Sequence, residues 1–343
     1  MGYKSGELYI LGELDPVSGV RTPFVKIGIV KDSEDRDTAK RIKEHQTGNP
    51  REITELHVFS SPNVEDVETA LHGIYAPIRI GGEWFHCDDA TLTSIVGRAD
   101  ETVAVMRTAE QHYLAAEELK DVESSDDRRD PASDEVDLGR ESTSARAAIK
   151  LAKGAEKAAR DALKAAHDRG RDARRFVEVQ KRNARASFDE AAFAEAHPKI
   201  HASFTAPVTK VKGRFVQLGT KGVDHTLIAP EIDDVVSAVG KAATTVCGGA
   251  GDVAELHSLY LELLSMLAPL TLRDAVLKAE VQARCGTAAG INGLCTWNRA
   301  LETELKLDRA ALKSQRPELH ARFMTTKETA PAVVPVRHLG YRL

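Results

Sequence analysis

Four cysteines in 343 residues, Cys87, Cys247, Cys285 and Cys295, lie scattered with no CxxC pair. That excludes a zinc ribbon and a disulfide framework and leaves reduced, buried thiols as the expectation. The first eight residues hold Lys4 and Glu7 and no apolar h-region, so no secretory leader is expected. Long uncharged runs are absent, since Glu262 interrupts the most apolar stretch, 256–272, short of the roughly 18 uncharged residues a membrane span needs. The expectation is a cytoplasmic protein with no membrane partner.

A strong net charge is lacking, with a formal net of −5 from 47 Lys and Arg against 52 Asp and Glu, yet the charge is unevenly spread. Lys plus Arg against Asp plus Glu runs 10 to 16 over residues 1–95, 6 to 14 over 96–144, 18 to 8 over 145–222 and 13 to 14 over 223–343. Only the third segment is a credible polyanion footprint, because cationic surfaces gain affinity by releasing condensed counterions. Its candidate DNA contacts are Lys150, Lys153, Lys157, Arg171, Arg174, Arg175, Lys181, Arg182 and Arg185. A solvated helix face is the plainer alternative.

Composition divides the chain into 1–95, an alternation of strands and helices; 96–120, a helical extension; 121–144, an acidic Ser- and Asp-rich linker expected to be mobile; 145–222, basic and helical; and 223–343, helical. The Ala, Lys, Glu and Arg run over 145–167 is a strong helix former whose few aliphatics suggest a surface or coiled-coil-like helix. Leu256, Leu259, Leu263 and Leu267 form a helical stripe suited to a core or to a contact with a second copy or a protein partner.

Residues 188–204, FDEAAFAEAHPKIHASF, align with 307–323, LDRAALKSQRPELHARF, with seven of seventeen positions identical. Each copy reads as a helix, a strand, a turn and a short helix opened by Asp189 or Asp308, then an extended segment, 213–218 or 333–339. The pattern resembles the accessory segment at the C-terminal end of YqaJ-type, lambda-exonuclease-like phage recombinases, which implies a DNA-handling or partner-binding module.

In the N-terminal unit, 7–13 and 23–30 alternate into apolar runs around the turn residues Asp15 to Gly19 and should form a hairpin. A helix follows, with Asp32, Ser33, Asp35 and Asp37 as possible caps, and stops at Gly48-Asn49-Pro50; it carries Arg41 and His45 one turn apart. A third strand covers 53–60. Asn63 then caps a helix with Val64, Val67, Leu71 and Ile74 as its buried stripe, and Glu68 and His72 beside it at i, i+4.

Six elements in order, a Tyr9-containing first strand, Lys26-Ile27-Gly28, the Arg41 helix, Thr47-Gly48-Asn49-Pro50, Glu68-x-x-Leu71-His72 and Gly82-Glu83-Trp84-Phe85, resemble the GIY-YIG nuclease superfamily. The likeness is to its compact branch known as a bacteriophage DNA-binding domain. The resemblance implies an α+β protein: a small α/β domain with a three-stranded antiparallel sheet flanked by helices, then a mostly helical region carrying the two repeats. It also implies a metal-dependent DNA endonuclease of restriction, phage defence or phage recombination, with a non-catalytic DNA-binding or adaptor protein as the alternative.

By that resemblance Glu68 holds a divalent metal, Mg²⁺ or Mn²⁺, and Arg41 neutralises phosphoryl oxygens. Tyr9 lies near the attacking water as base or positioner, His45 helps it, and His72 is an outer or phosphate contact. Gly28 keeps backbone open beside the phosphate. Lys26 stands where the superfamily's second tyrosine usually stands and is a phosphate contact or part of the catalytic set. Trp84 and Phe85 read as core.

Overall fold

The computed structural model describes residues 4–34, 36–171, 173–181 and 183–339. Strands β1 (Gly6–Leu14) and β2 (Arg21–Lys31), helix α1 (Thr38–Gln46), strand β3 (Glu52–Ser61), helix α2 (Val64–Ile74), strands β4 (Arg79–Gly81) and β5 (Trp84–His86) and helix α3 (Asp89–Leu119) build the N-terminal unit. The sheet is antiparallel and five-stranded in the order β3-β1-β2-β5-β4, not three-stranded. The Gly82–Phe85 motif supplies the added hairpin, with Lys26 opposite Trp84 and Val25 opposite Phe85.

Helix α1 is fastened to β1 at both ends, which fixes Arg41 and His45 over the sheet. At its start Asp37 accepts from the Lys40 N–H at 2.8 Å, and the Glu7 carboxylate accepts from the Thr38 hydroxyl at 2.7 Å. Of the other expected caps, Asp35 lies outside the described residues. At its end the Glu13 carboxylate, on β1, accepts from Asn49 Nδ2 at 2.8 Å and from Arg51 at 3.0 Å. The Thr-Gly-Asn-Pro element is thus a clamp rather than a chemical group. Asn63 makes no side-chain cap to α2; its amide donates to Asp66 at 2.6 Å.

Helix α4 (Ser133–Asp168) begins inside the segment expected to be a linker. Glu135, 3 % exposed, pairs with Arg129 and accepts from the Ala132 N–H at 2.8 Å, so this one carboxylate is folded in while most of the acidic residues of the stretch are exposed. Nor is α4 a surface helix. Ala148, Ala152, Ala155, Ala159, Ala162 and Ala166 are buried in one core with Val239, Ala243 and Val246, because small side chains let helix backbones approach closely.

The chain continues through β6 (Val177–Gln180), β7 (Arg185–Phe188), α5 (Glu190–Ala196), α6 (Pro198–Ser203), β8 (Thr205–Gly213), β9 (Val216–Gln217), α7 (Ile232–Cys247) and α8 (Val253–Cys285). It ends with β10 (Gly290–Ile291), β11 (Cys295–Thr296), β12 (Arg299–Leu307), α9 (Arg309–Gln315), α10 (Pro317–Arg322), β13 (Met324–Lys327) and β14 (Ala332–Pro335). Helices α4, α7 and α8 form the body, and β8 with β12, β7 with β13 and β6 with β14 form antiparallel two-stranded ribbons. By length and composition α8 could cross a membrane, yet half of its most apolar stretch is buried inside the protein.

The N-terminal unit sits on α8, whose Val276 joins the core of Leu8, Ile10, Val25, Ile27, Leu71 and Phe85. Gly73 on α2 makes that approach possible: a Cβ there would stand 2.5 Å from the Ala268 Cβ. Gly73→Val should therefore cost about 1–3 kcal/mol by overpacking. Ala268→Gly should recover much of that loss in urea unfolding, and an unrescued loss would mean the helices do not meet there.

Candidate active site

Tyr9 lies directly opposite Gly28 across the β1–β2 pair, and its ring occupies the space a Gly28 Cβ would need. The expectation that Gly28 leaves room for a phosphate is thereby corrected: the room belongs to Tyr9. The phenol, fully buried, sits 3.5 Å from His45 Nε2. Burial pushes Tyr9 up to about 12 against the pull of Arg41, so it keeps its proton at neutral pH. His45 is pushed below the usual histidine value by burial, then by Lys26 and Arg41, which favours a neutral ring beside that phenol.

Arg41 donates from one terminal nitrogen to Glu44 at 2.8 Å, while its Nε is buried and has no hydrogen-bond partner among the described residues. A buried, unsatisfied guanidinium nitrogen costs free energy unless an acceptor arrives. Lys26, 6 % exposed, is ion-paired with Glu83 and lies 5.8 Å from the Trp84 ring centre. Burial pushes Glu83 up, but the bond and charge of Lys26, with smaller help from Arg41, bring it below the usual carboxylate range.

Glu68 behaves oppositely. Burial, then the charge of Glu83, push it up to about 7, while Lys26, Arg79 and Lys31 pull it back. Burial and the charge of Arg79 bring its helix neighbour His72 down to about 4, so its Nε2–H donates to the Ile27 carbonyl at 3.0 Å from a neutral ring packed on Phe85. His72 therefore ties α2 to β2 and offers no positive charge to a phosphate.

All six residues expected here, Tyr9, Lys26, Arg41, His45, Glu68 and His72, meet in one electrostatic neighbourhood. Two more were missed. Glu83 stood in the aromatic motif without an assigned role. Arg79 had no sequence signal; its Nε donates to the Gly82 carbonyl at 2.5 Å and its fork lies 5.9 Å from the Phe85 ring centre. The chain's far end reaches the same place, where the Leu339 N–H donates to the Arg79 carbonyl at 2.7 Å.

No group of three or more His, Cys, Asp or Glu suited to a metal ion occurs among the described residues. One carboxylate raised by burial and by the charge of Glu83, with Lys26, Arg79 and Lys31 pulling it back only in part, still fits a cation that brings water and phosphate as its remaining ligands.

Eight of the nine candidate cations of the basic segment lie among the described residues, on several elements. Lys150, Lys153 and Lys157 are exposed on α4, Lys157 pairing with Asp161 at 2.5 Å. Arg171 is spent on the end of α7, donating to the carbonyls of Val246, Ala250 and Gly251. Arg174, Arg175 and Lys181 are exposed near β6, Arg185 opens β7, and Arg182 lies outside the described residues.

Residues 7–107 match the model of the T5orf172 domain, a GIY-YIG-related phage domain family. The match runs from β1 into α3 and includes all eight site residues. No curated protein and no solved structure matches the chain.

Proposed function

From a T5orf172 domain that gathers these side chains, we propose a metal-dependent DNA endonuclease serving restriction, phage defence or phage recombination. The carrying observation is Glu68, a half-buried carboxylate pushed up to about 7 in a site whose Arg41 has an unused buried donor. Glu68 would hold a divalent cation, Mg²⁺ or Mn²⁺, which polarises the scissile phosphate and steadies the leaving oxygen. Arg41 directs its free nitrogen at a phosphoryl oxygen, a task suited to a planar fork of donors.

Tyr9 keeps its proton in the resting site, so it orients water and takes a proton from it only by passing its own to neutral His45. Lys26, locked to Glu83, contributes positive charge rather than basicity. Supercoiled plasmid should be nicked with Mg²⁺ or Mn²⁺ and left intact with chelator. A second reading, a DNA-binding or adaptor protein without catalysis, is favoured by the acidic balance of residues 1–95, 10 cations to 16 anions. It predicts binding without cutting.

A further inference from the structure

The ribbons end in a small unit with its own core. Phe188, Phe193, Leu307 and Leu312 are buried there, packed by Ile200, Phe204, Leu319 and Phe323. These eight are four pairs of positions a constant 119 apart, the same spacing as Glu190 and Arg309. Across the pseudo-dyad the Asp189 N–H donates to the Phe323 carbonyl and the Asp308 N–H to the Phe204 carbonyl, each at 2.8 Å. Asp189 caps α5 through the Ala192 N–H, and Asp308 caps α9 through the Ala311 N–H, at 3.0 and 2.9 Å. Two segments separated in sequence thus build one pseudo-two-fold unit.

The interior keeps its residue types and the surface does not. Residues 189–208 carry one cation against three anions; the equivalent 308–327 carry five against two. Where the first half has Ala194, His197, Ser203 and Val208, the second has Lys313, Arg316, Arg322 and Lys327. All four cations are exposed, and none makes an ion pair or side-chain hydrogen bond among the described residues. The fold does not require them, because the first half packs in the same way without them. Arg309 is different, since it pairs with Glu190 at 2.8 Å.

A further sign comes from the register. Lys327 stands directly opposite Arg185 on the β7–β13 ribbon. Like charges placed opposite each other destabilise a strand pair unless an anion lies between or above them. Exposed cations that no protein group answers, two of them forced together, fit a regularly spaced polyanion.

We infer that the α9–α10 half of this tip unit, through Lys313, Arg316, Arg322 and Lys327 with Arg185 beside them, is the surface that grips the phosphate backbone of duplex DNA. The identity of the polyanion rests on the nuclease reading; the location rests on the charge difference between the two halves. Basic α4 is then a secondary surface.

The test transplants the first half's own residues into the second, Lys313→Ala, Arg316→His, Arg322→Ser and Lys327→Val, substitutions the twin half accommodates. Binding of a labelled mixed-sequence duplex is followed in chelator across a salt series, with Lys150→Ala, Lys153→Ala and Lys157→Ala on α4 as the comparison. The tip variant should bind more than about tenfold more weakly, with its log-affinity against log-salt slope reduced by about 3.6, near 0.9 for each of the four lost phosphate contacts. The α4 variant should stay within about twofold.

A tip variant that binds like the unaltered protein with an unchanged slope overturns the proposal, as does failure of the unaltered protein to bind duplex. Plasmid cutting measured in parallel separates the two claims. Cutting without tip-dependent binding sinks only this inference, and tip-dependent binding without cutting sinks only the nuclease.

Discussion

Glu68→Gln should remove metal-dependent cutting by at least about 10²–10³-fold while making the protein more stable above neutral pH. The sign follows from the carboxyl's value near 7 in the folded protein against an ordinary 4.5. Between those values the folded state holds a proton the unfolded chain has lost, so Glu68 supports the fold fully below about pH 4.5. That support is lost as pH rises through 7. Above 7 the buried charge beside Glu83 is a liability, and Gln removes it. With Glu68 partly solvated, the gain is on the order of 1 kcal/mol. Thermal unfolding in chelator should give equal midpoints near pH 4 and a higher midpoint for Glu68→Gln at pH 8. A lower midpoint at pH 8 would mean the carboxylate is already compensated by Lys26 and Arg79.

Gly28→Val should damage both the fold and the site. Its side chain would occupy the volume of the Tyr9 ring, forcing the phenol away from His45. Overpacking costs about 1–3 kcal/mol. A displacement of about 1 Å at a reacting group costs about 10²-fold in rate. Tyr9→Ala opens the same space, so the double variant should recover stability while staying inactive. Strong non-additivity in unfolding free energy is the expected signature. If the two effects simply add, the ring does not lie over Gly28.

Much of the site was legible because polar residues embedded in strongly patterned strands and helices have few places to go. Tyr9 and Lys26 follow from the apolar alternation of β1 and β2, Arg41 and His45 from one helical turn, and Glu68 and His72 from another. The five-strand sheet was not legible, since β4 and β5 are only three residues each, too short for a period of two to declare itself. Arg79 sits on one of them and reaches the site by tertiary placement alone. The acidic 121–144 segment misled by composition: Glu135 pairs with Arg129 inside the segment, and Asp134 with Arg284, a residue no local pattern connects to it. Alanine misled in α4, because a helix face of small residues reads as unburied although it is suited to the closest packing. Arg171 counted as a DNA cation in sequence, whereas its donors are spent on carbonyls more than seventy positions away.

The central claim is that this site hydrolyses DNA through Glu68. Its most direct test is nicking of supercoiled plasmid by the unaltered protein and by Glu68→Gln, each with Mg²⁺, Mn²⁺ or chelator, with DNA binding recorded in the same samples. The account predicts open-circular product only from the unaltered protein with metal, and equal binding by both. Metal-dependent product from Glu68→Gln, or none from the unaltered protein while it holds the DNA, would contradict it.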